Sequence, residues 1–236
     1  MFFSVIRTIL AGGHIDIQSV VAQVLALIFV IVCILPLHEL AHGWVAYKLG
    51  DPTAKLERRL TLNPLASVDP IGTVWLFLFG FGWAKPVPVD PRYFKKPKRD
   101  MAIVALAGPV SNLLAALVGA LLLNVLAVAA GFGGVNNVLY FIYSVLSYYV
   151  TVNVTLAAFN LLPIPPLDGS RILGAFLSDR ALATYYRYQN IFVMVLFVLM
   201  FSGAFSGPLY AIQSVMTRGV FWIAALPFKL FGLNLF

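Results

Sequence analysis

Charged side chains are scarce in this sequence. Of its 236 residues, 11% are charged and 61% are hydrophobic, whereas a soluble domain carries roughly a quarter charged residues. The mean hydropathy is +0.93. This composition excludes an ordinary soluble globule and predicts an all-α, multi-pass membrane protein with about four to six transmembrane helices.

Cysteine is almost absent as well. The single cysteine, Cys33, excludes an internal disulfide and any Cys-x-x-Cys metal pair. The cysteine count therefore gives no indication of the redox compartment in which the protein works.

The basic residues are concentrated in one part of the chain. Ten of the sixteen Lys and Arg residues fall between Lys48 and Arg99, a pattern typical of cytoplasmic loops beside membrane spans. We therefore place segments 48–63 and 85–100 on the cytoplasmic side of a bacterial or archaeal cell membrane, with the lipid bilayer as the protein's environment. The sequence contains no nucleic-acid-binding motif, so we expect no nucleic-acid partner.

Apolar runs predict one membrane-embedded domain over residues 1–236. The charge-free run from Ile17 to Leu37, with helix continuing to about Leu49, is long enough to cross a bilayer. Further spans are predicted over about 101–130, 138–162 and 184–205. Residues 1–13 are predicted to form a short interfacial helix, and 208–236 either a span or an interfacial helix.

Residues 71–90, "IGTVWLFLFGFGWAKPVPVD", form a different kind of apolar segment. The run is too short to span a membrane, and its glycines and prolines predict a poor helix. A re-entrant loop or β-hairpin dipping into the membrane fits better. Such backbone is tolerated at membrane depth only where it is buried in protein or lines a wet cavity.

The strongest chemical motif is "HELAH", residues 38–42, inside an apolar helix. Positions i and i+4 of a helix share one face, so His38 and His42 can bind one zinc ion. Glu39 then lies where it can take a proton from a water that zinc activates. The alternative is two core histidines and a buried glutamate. Ionisable residues are costly inside a span, which favours the metal site.

A catalytic zinc site needs a third protein ligand and one open position. The remaining histidine, His14, lies outside the long span, and most acidic residues lie in polar loops. Asp168 is different, because it ends the charge-free stretch 101–167 and follows a proline-rich segment that cannot continue a helix. It could simply cap the next helix, but a two-histidine site that lacks a ligand favours metal binding.

These motifs together resemble a known family. "HELAH" followed by "NLLPIPPLDG", residues 160–169, resembles the two signatures of the site-2 protease family of intramembrane zinc metalloproteases. "GPVSN", residues 108–112, is similar to a G-P-x-x-N element of many bacterial members, and "GFGWAKPVPVD" resembles their membrane-dipping segment. The resemblance covers roughly residues 20–175. It implies one zinc ion per chain, with His38, His42 and Asp168 as ligands and Glu39 as the catalytic base.

The resemblance also implies an activity. Family members cleave peptide bonds in or near transmembrane segments of membrane proteins, in regulated intramembrane proteolysis or in the clearance of membrane remnants. The sequence shows no PDZ-sized insertion and no C-terminal regulatory domain, so we expect a minimal form. A separate membrane partner would then supply any regulation.

Four further residues are candidates for contact with substrate. Asn112 could stabilise the developing oxyanion or orient the substrate backbone, or it could simply link two helices. Asn160 has the same two interpretations, close to Asp168. Gly80 and Gly82 begin a stretch that could present a strand edge, on which an unwound substrate would pair by β-addition.

Two other classes of protein remain open at the sequence level. A zinc transporter would use the same residues to bind metal in transit, but the charge-free stretch 101–167 offers few polar groups for a path. A non-catalytic scaffold with a structural zinc would need a fourth protein ligand, and the sequence offers no candidate.

Overall fold

The computed structural model describes residues 17–79, 82–133, 136–230 and 232. The predicted interfacial helix at 1–13, together with Gly80, lies outside these residues. Within them the chain is helical apart from its connections, and the β-structure amounts to one isolated bridge, between Val68 and Ala84. The prediction of an all-α protein is therefore confirmed.

The helices follow one another in a simple order. Helix α1 (Ile17–Phe29) continues through a π-helical turn (Val30–Ile34) into α2 (Leu35–Lys48). The connection between α2 and the next long helix contains α3 (Thr53–Leu56), α4 (Pro64–Ser67), α5 (Pro70–Phe79) and a 3-10 turn (Pro91–Tyr93). The second half consists of α6 (Pro97–Gly133), α7 (Asn137–Asn160), α8 (Asp168–Gly174), α9 (Asp179–Arg187), α10 (Gln189–Ser202) and α11 (Ser206–Leu230).

Four described helical stretches are long and apolar enough to cross a membrane: Val20–Lys48, Pro97–Gly131, Asn137–Asn160 and Ser206–Leu230. Three of them match spans predicted from the sequence. The fourth, in α11, settles the undecided C-terminal stretch in favour of a helix of spanning length.

The predicted span over 184–205 is a pair of helices with a bend between them, and together the two are long and apolar enough to cross a membrane as one broken span. Helices α9 and α10 meet at a bend of 56°, and α10 alone has 14 residues, or about 21 Å of helix against about 30 Å of bilayer core. The break at Tyr188 lies in a polar stretch, "RYQN" (187–190), which the predicted span included as part of one helix.

The segment 71–90 is more ordered than its composition predicts. Its first half is the ten-residue helix α5, and the chain then folds back as an extended segment, so the prediction of a poor helix is wrong for this half. Gly72 and Gly82 allow the close crossing, since a Cβ on Gly82 would collide with the Gly72 carbonyl and would lie 2.8 Å from the Leu76 Cβ. The return is therefore a helix followed by an extended segment rather than a β-hairpin.

Helix α6 is the centre of the fold and packs against α2, α7, α8 and α11. Small residues let these helices approach closely, which is the usual basis of helix packing in membranes. A Cβ on Gly119, for example, would lie 2.7 Å from Val150. Asn124 donates a hydrogen bond of 2.9 Å to the Ala224 carbonyl of α11. This packing leaves the first half of α6 facing α2 and α8, where the candidate site lies.

Candidate metal centre

Three side chains from distant parts of the sequence converge between α2, α6 and α8. His38 and His42 lie one turn apart on α2, and their Nε2 atoms are 3.0 Å apart. The Oδ2 atom of Asp168 lies 3.4 Å from the His38 Nε2 and 3.3 Å from the His42 Nε2. The structure thus brings together the three residues that the sequence singled out.

The spacing of these atoms suits zinc. Ligands held tetrahedrally at about 2.0–2.1 Å from zinc lie about 3.3 Å from one another, and the three observed separations span 3.0–3.4 Å. The side chains are also shielded, since His38, His42 and Asp168 are 7%, 5% and 9% exposed. Two neutral imidazoles and a carboxylate form a donor set that zinc accepts.

A contact with α6 orients one of the imidazoles. His42 Nδ1 lies 2.7 Å from the Val104 carbonyl oxygen, which can only accept a hydrogen bond, so Nδ1 carries the proton. The lone pair of Nε2 then points towards His38 and Asp168, as a metal-binding histidine requires. The buried Nδ1 of His38 has no such partner among the described residues.

Gly108 forms one wall of this centre. A Cβ at this position would collide with the His42 Nε2 and would lie 2.6 Å from the His38 Nε2. Helix α6 can therefore pass beside the histidines only because residue 108 has no side chain. The space that the missing side chain leaves open lies directly at the ligand atoms.

Asp168 is the first residue of α8 and is held there by a compact turn. Its neighbour Gly169 lies against the Leu161 and Leu162 carbonyls, which a Cβ would strike. The hydroxyl of Ser170 donates to the Leu167 carbonyl at 2.7 Å. The Asp168 side chain makes no capping hydrogen bond to the start of α8, so the capping alternative is not what the structure shows.

The carboxyl group of Asp168 is ionised in this setting. Burial acts to raise the pKa of this carboxyl group, but the adjacent imidazoles of His38 and His42 outweigh that effect and lower it below its usual range. A charged carboxylate is the form that binds a cation.

Glu39 lies beside the centre and contacts the extended segment that follows α5. Its Oε2 accepts a hydrogen bond of 2.7 Å from the Val87 N–H. No described residue forms a hydrogen bond with its other oxygen, Oε1. One carboxylate oxygen is thus held while the other is available to a water or a substrate.

The remaining predicted residues differ in their surroundings. Asn112 lies one helical turn beyond Gly108 on the same face of α6 and is 1% exposed. Neither polar atom of its side chain has a hydrogen-bond partner among the described residues. Asn160 donates to the Leu156 carbonyl at 3.0 Å within its own helix. Gly82 packs against α5, so its predicted contact with substrate stays a prediction.

Several groups at the site were not identified from the sequence. The Val104 carbonyl and the Val87 N–H are backbone atoms, which residue type does not reveal. Gly108 was noticed only as part of a motif, although a glycine followed by proline inside an apolar helix is a signal of close approach. Arg59, which donates hydrogen bonds to the Lys85 and Pro86 carbonyls just before Val87, has the sequence context of an ordinary loop residue.

Comparison with known proteins agrees with this geometry. Residues 26–203 match the model of peptidase family M50. YwhC of Bacillus subtilis (strain 168), named as a candidate zinc metalloprotease, is 47% identical over 147 residues, which cover 62% of this chain and 67% of YwhC. Rip2 of Mycolicibacterium smegmatis, named in the same way, is 31% identical over 173 residues, which cover 69% of this chain and 62% of Rip2.

The fold and the comparisons together define a class of protein, a zinc metalloprotease with several membrane helices. The chain belongs to peptidase family M50, the site-2 protease family. The matched regions span about two thirds of the two relatives. No solved structure gives a significant match.

Proposed function

We propose that this chain is an intramembrane endopeptidase that hydrolyses peptide bonds in or near the transmembrane segments of membrane proteins. The observation that carries the proposal is the position of the shielded centre, which lies between helices of membrane-spanning length. A soluble loop has no ready path to such a site, whereas a transmembrane segment can approach it sideways. Cleavage there would release a signalling protein or clear a remnant.

His38, His42 and Asp168 would hold the zinc ion, which when bound supplies a Lewis acid and activates water for attack on the scissile carbonyl. Three protein ligands leave one coordination position open, as a catalytic site requires. Val104 keeps His42 in the binding tautomer through its carbonyl.

Glu39 is the general base in this proposal. Its Oε1 accepts the proton of the attacking water and then returns it to the leaving amine. Asn112, which is buried and has no hydrogen-bond partner among the described residues, is proposed to donate a hydrogen bond to the carbonyl oxygen as negative charge develops on it. Asn160, Gly80 and Gly82 are proposed to contact the unwound substrate.

We further propose that the centre lies towards the cytoplasmic side of the cell membrane. His38 is about ten residues, or about 15 Å, from Lys48 at the basic end of α2, and that end belongs inside by the positive-inside rule. In a Cys33→Ser background, Lys95→Cys should react with a membrane-impermeant maleimide only after the cells are opened. Labelling of intact cells would reverse the orientation.

The activity is tested with a transmembrane probe. The purified chain is reconstituted in liposomes with a single-span reporter whose apolar segment carries a central Asn-Gly pair, which weakens its helix. We expect zinc-dependent cleavage inside that segment, located by mass spectrometry. A soluble peptide with the residues around the pair should be cut much more slowly. Equal cleavage of both would contradict an intramembrane specificity.

A further inference from the structure

An extended segment, Lys85–Val87, lies across the surface next to Glu39 and is anchored at its start. The Lys85 N–H donates a hydrogen bond of 2.7 Å to the Ser67 carbonyl. The residue before it, Ala84, forms the bridge with Val68. These contacts tie the beginning of the segment to the chain just before α5.

Arg59 holds the same segment from its other side. Its guanidinium Nη2 donates to the Lys85 carbonyl at 2.8 Å and to the Pro86 carbonyl at 3.3 Å. The Arg59 side chain is partly exposed, and its Nε is buried without a hydrogen-bond partner among the described residues. A planar, charged donor shared between two successive carbonyls fixes a backbone well.

The end of the segment offers a single backbone donor to the site. Val87 lies between Pro86 and Pro88, which have no N–H groups. The Val87 N–H is therefore the only backbone donor of these three residues, and it is the group that binds Glu39 Oε2.

We propose that Arg59 is a positioning residue for Glu39 and acts through the Lys85–Val87 backbone; this inference rests on the proposed role of Glu39 as base. A glutamate side chain has three rotatable bonds and would sample several orientations. The anchored N–H of Val87 holds one oxygen, so the other faces the reacting water. Small displacements of such a group can reduce the rate up to about 100-fold.

The first test compares two neighbouring arginines in the transmembrane-probe assay. We expect Arg59→Ala to lower kcat about tenfold, with KM within about twofold and with zinc content unchanged. Arg58→Ala removes the same charge from the same loop, and no described residue pairs with Arg58, so it should match wild type. Arg59→Lys retains one donor, so its kcat should lie between those of wild type and Arg59→Ala. If Arg59→Ala is not recovered in folded form, the comparison of Arg59→Lys with wild type tests the inference.

The second test asks whether Arg59 acts through Val87. Val87→Pro removes the N–H, whereas Val87→Ala retains it and serves as the control for the lost side chain. If the two residues act in one chain of contacts, Arg59→Ala combined with Val87→Pro should be no slower than the slower single variant. Multiplicative losses, or a wild-type rate for both Arg59→Ala and Arg59→Lys, would overturn the inference. These outcomes can be distinguished from failure of the proposed function, because in that case wild type itself would not cleave the probe.

Discussion

Glu39→Gln should abolish cleavage of the transmembrane probe while the protein retains its zinc. Glutamine has nearly the same shape as glutamate and can still accept the Val87 hydrogen bond, but its amide cannot take a proton from water. Loss of a general base costs about 100-fold to 10,000-fold in rate. The measurements are initial cleavage rates in liposomes and zinc per chain from elemental analysis of the same preparation.

The matched control is Glu57→Gln, the same change at an exposed glutamate of the loop after α2. It should cleave at the wild-type rate with the same zinc content. Equal cleavage by Glu39→Gln and wild type would show that the mechanism is wrong. If wild type moved zinc across the liposome membrane and cleaved nothing, the protein would be a zinc transporter rather than a protease.

The metal centre could be predicted from sequence because its chemistry depends on residue type and helical spacing. His38 and His42 share a helix face whatever the rest of the fold does. Asp168 could be predicted because a carboxylate after a long charge-free stretch is costly unless it has a partner. The structure adds the distances and the wall at Gly108, which depend on how α6 packs against α2.

The supporting contacts could not be predicted, for a different physical reason. Val104 and Val87 act through backbone atoms, and nothing in a valine indicates where its carbonyl or N–H will lie. Arg59 differs from Arg58 only in what the folded chain places beside it. The prediction of one span over 184–205 placed the polar stretch "RYQN" (187–190) inside a helix, and the chain bends at this stretch.

Asp168→Asn should cost the protein most of its zinc. The substitution keeps the size of the side chain and removes the charge that makes Oδ2 a good ligand, leaving two histidines to hold the ion. Loss of a supporting group outside the ligand shell already lowers metal affinity by about 10- to 100-fold, so loss of a direct ligand should lower it by on the order of 100-fold or more. The measurements are zinc titration of the metal-free protein and its thermal unfolding with and without added zinc.

Asp179→Asn is the matched control, because Asp179 is 94% exposed at its side chain and pairs only with Lys98 among the described residues. An exposed pair contributes little to stability, so this variant should bind zinc as wild type does. Zinc should then raise the melting temperature of wild type and of Asp179→Asn, since a ligand stabilises the folded state that binds it. Zinc should leave the melting temperature of Asp168→Asn nearly unchanged. If Asp168→Asn bound zinc as tightly as wild type, Asp168 would not be a ligand, and the third position would have to be sought elsewhere in the chain.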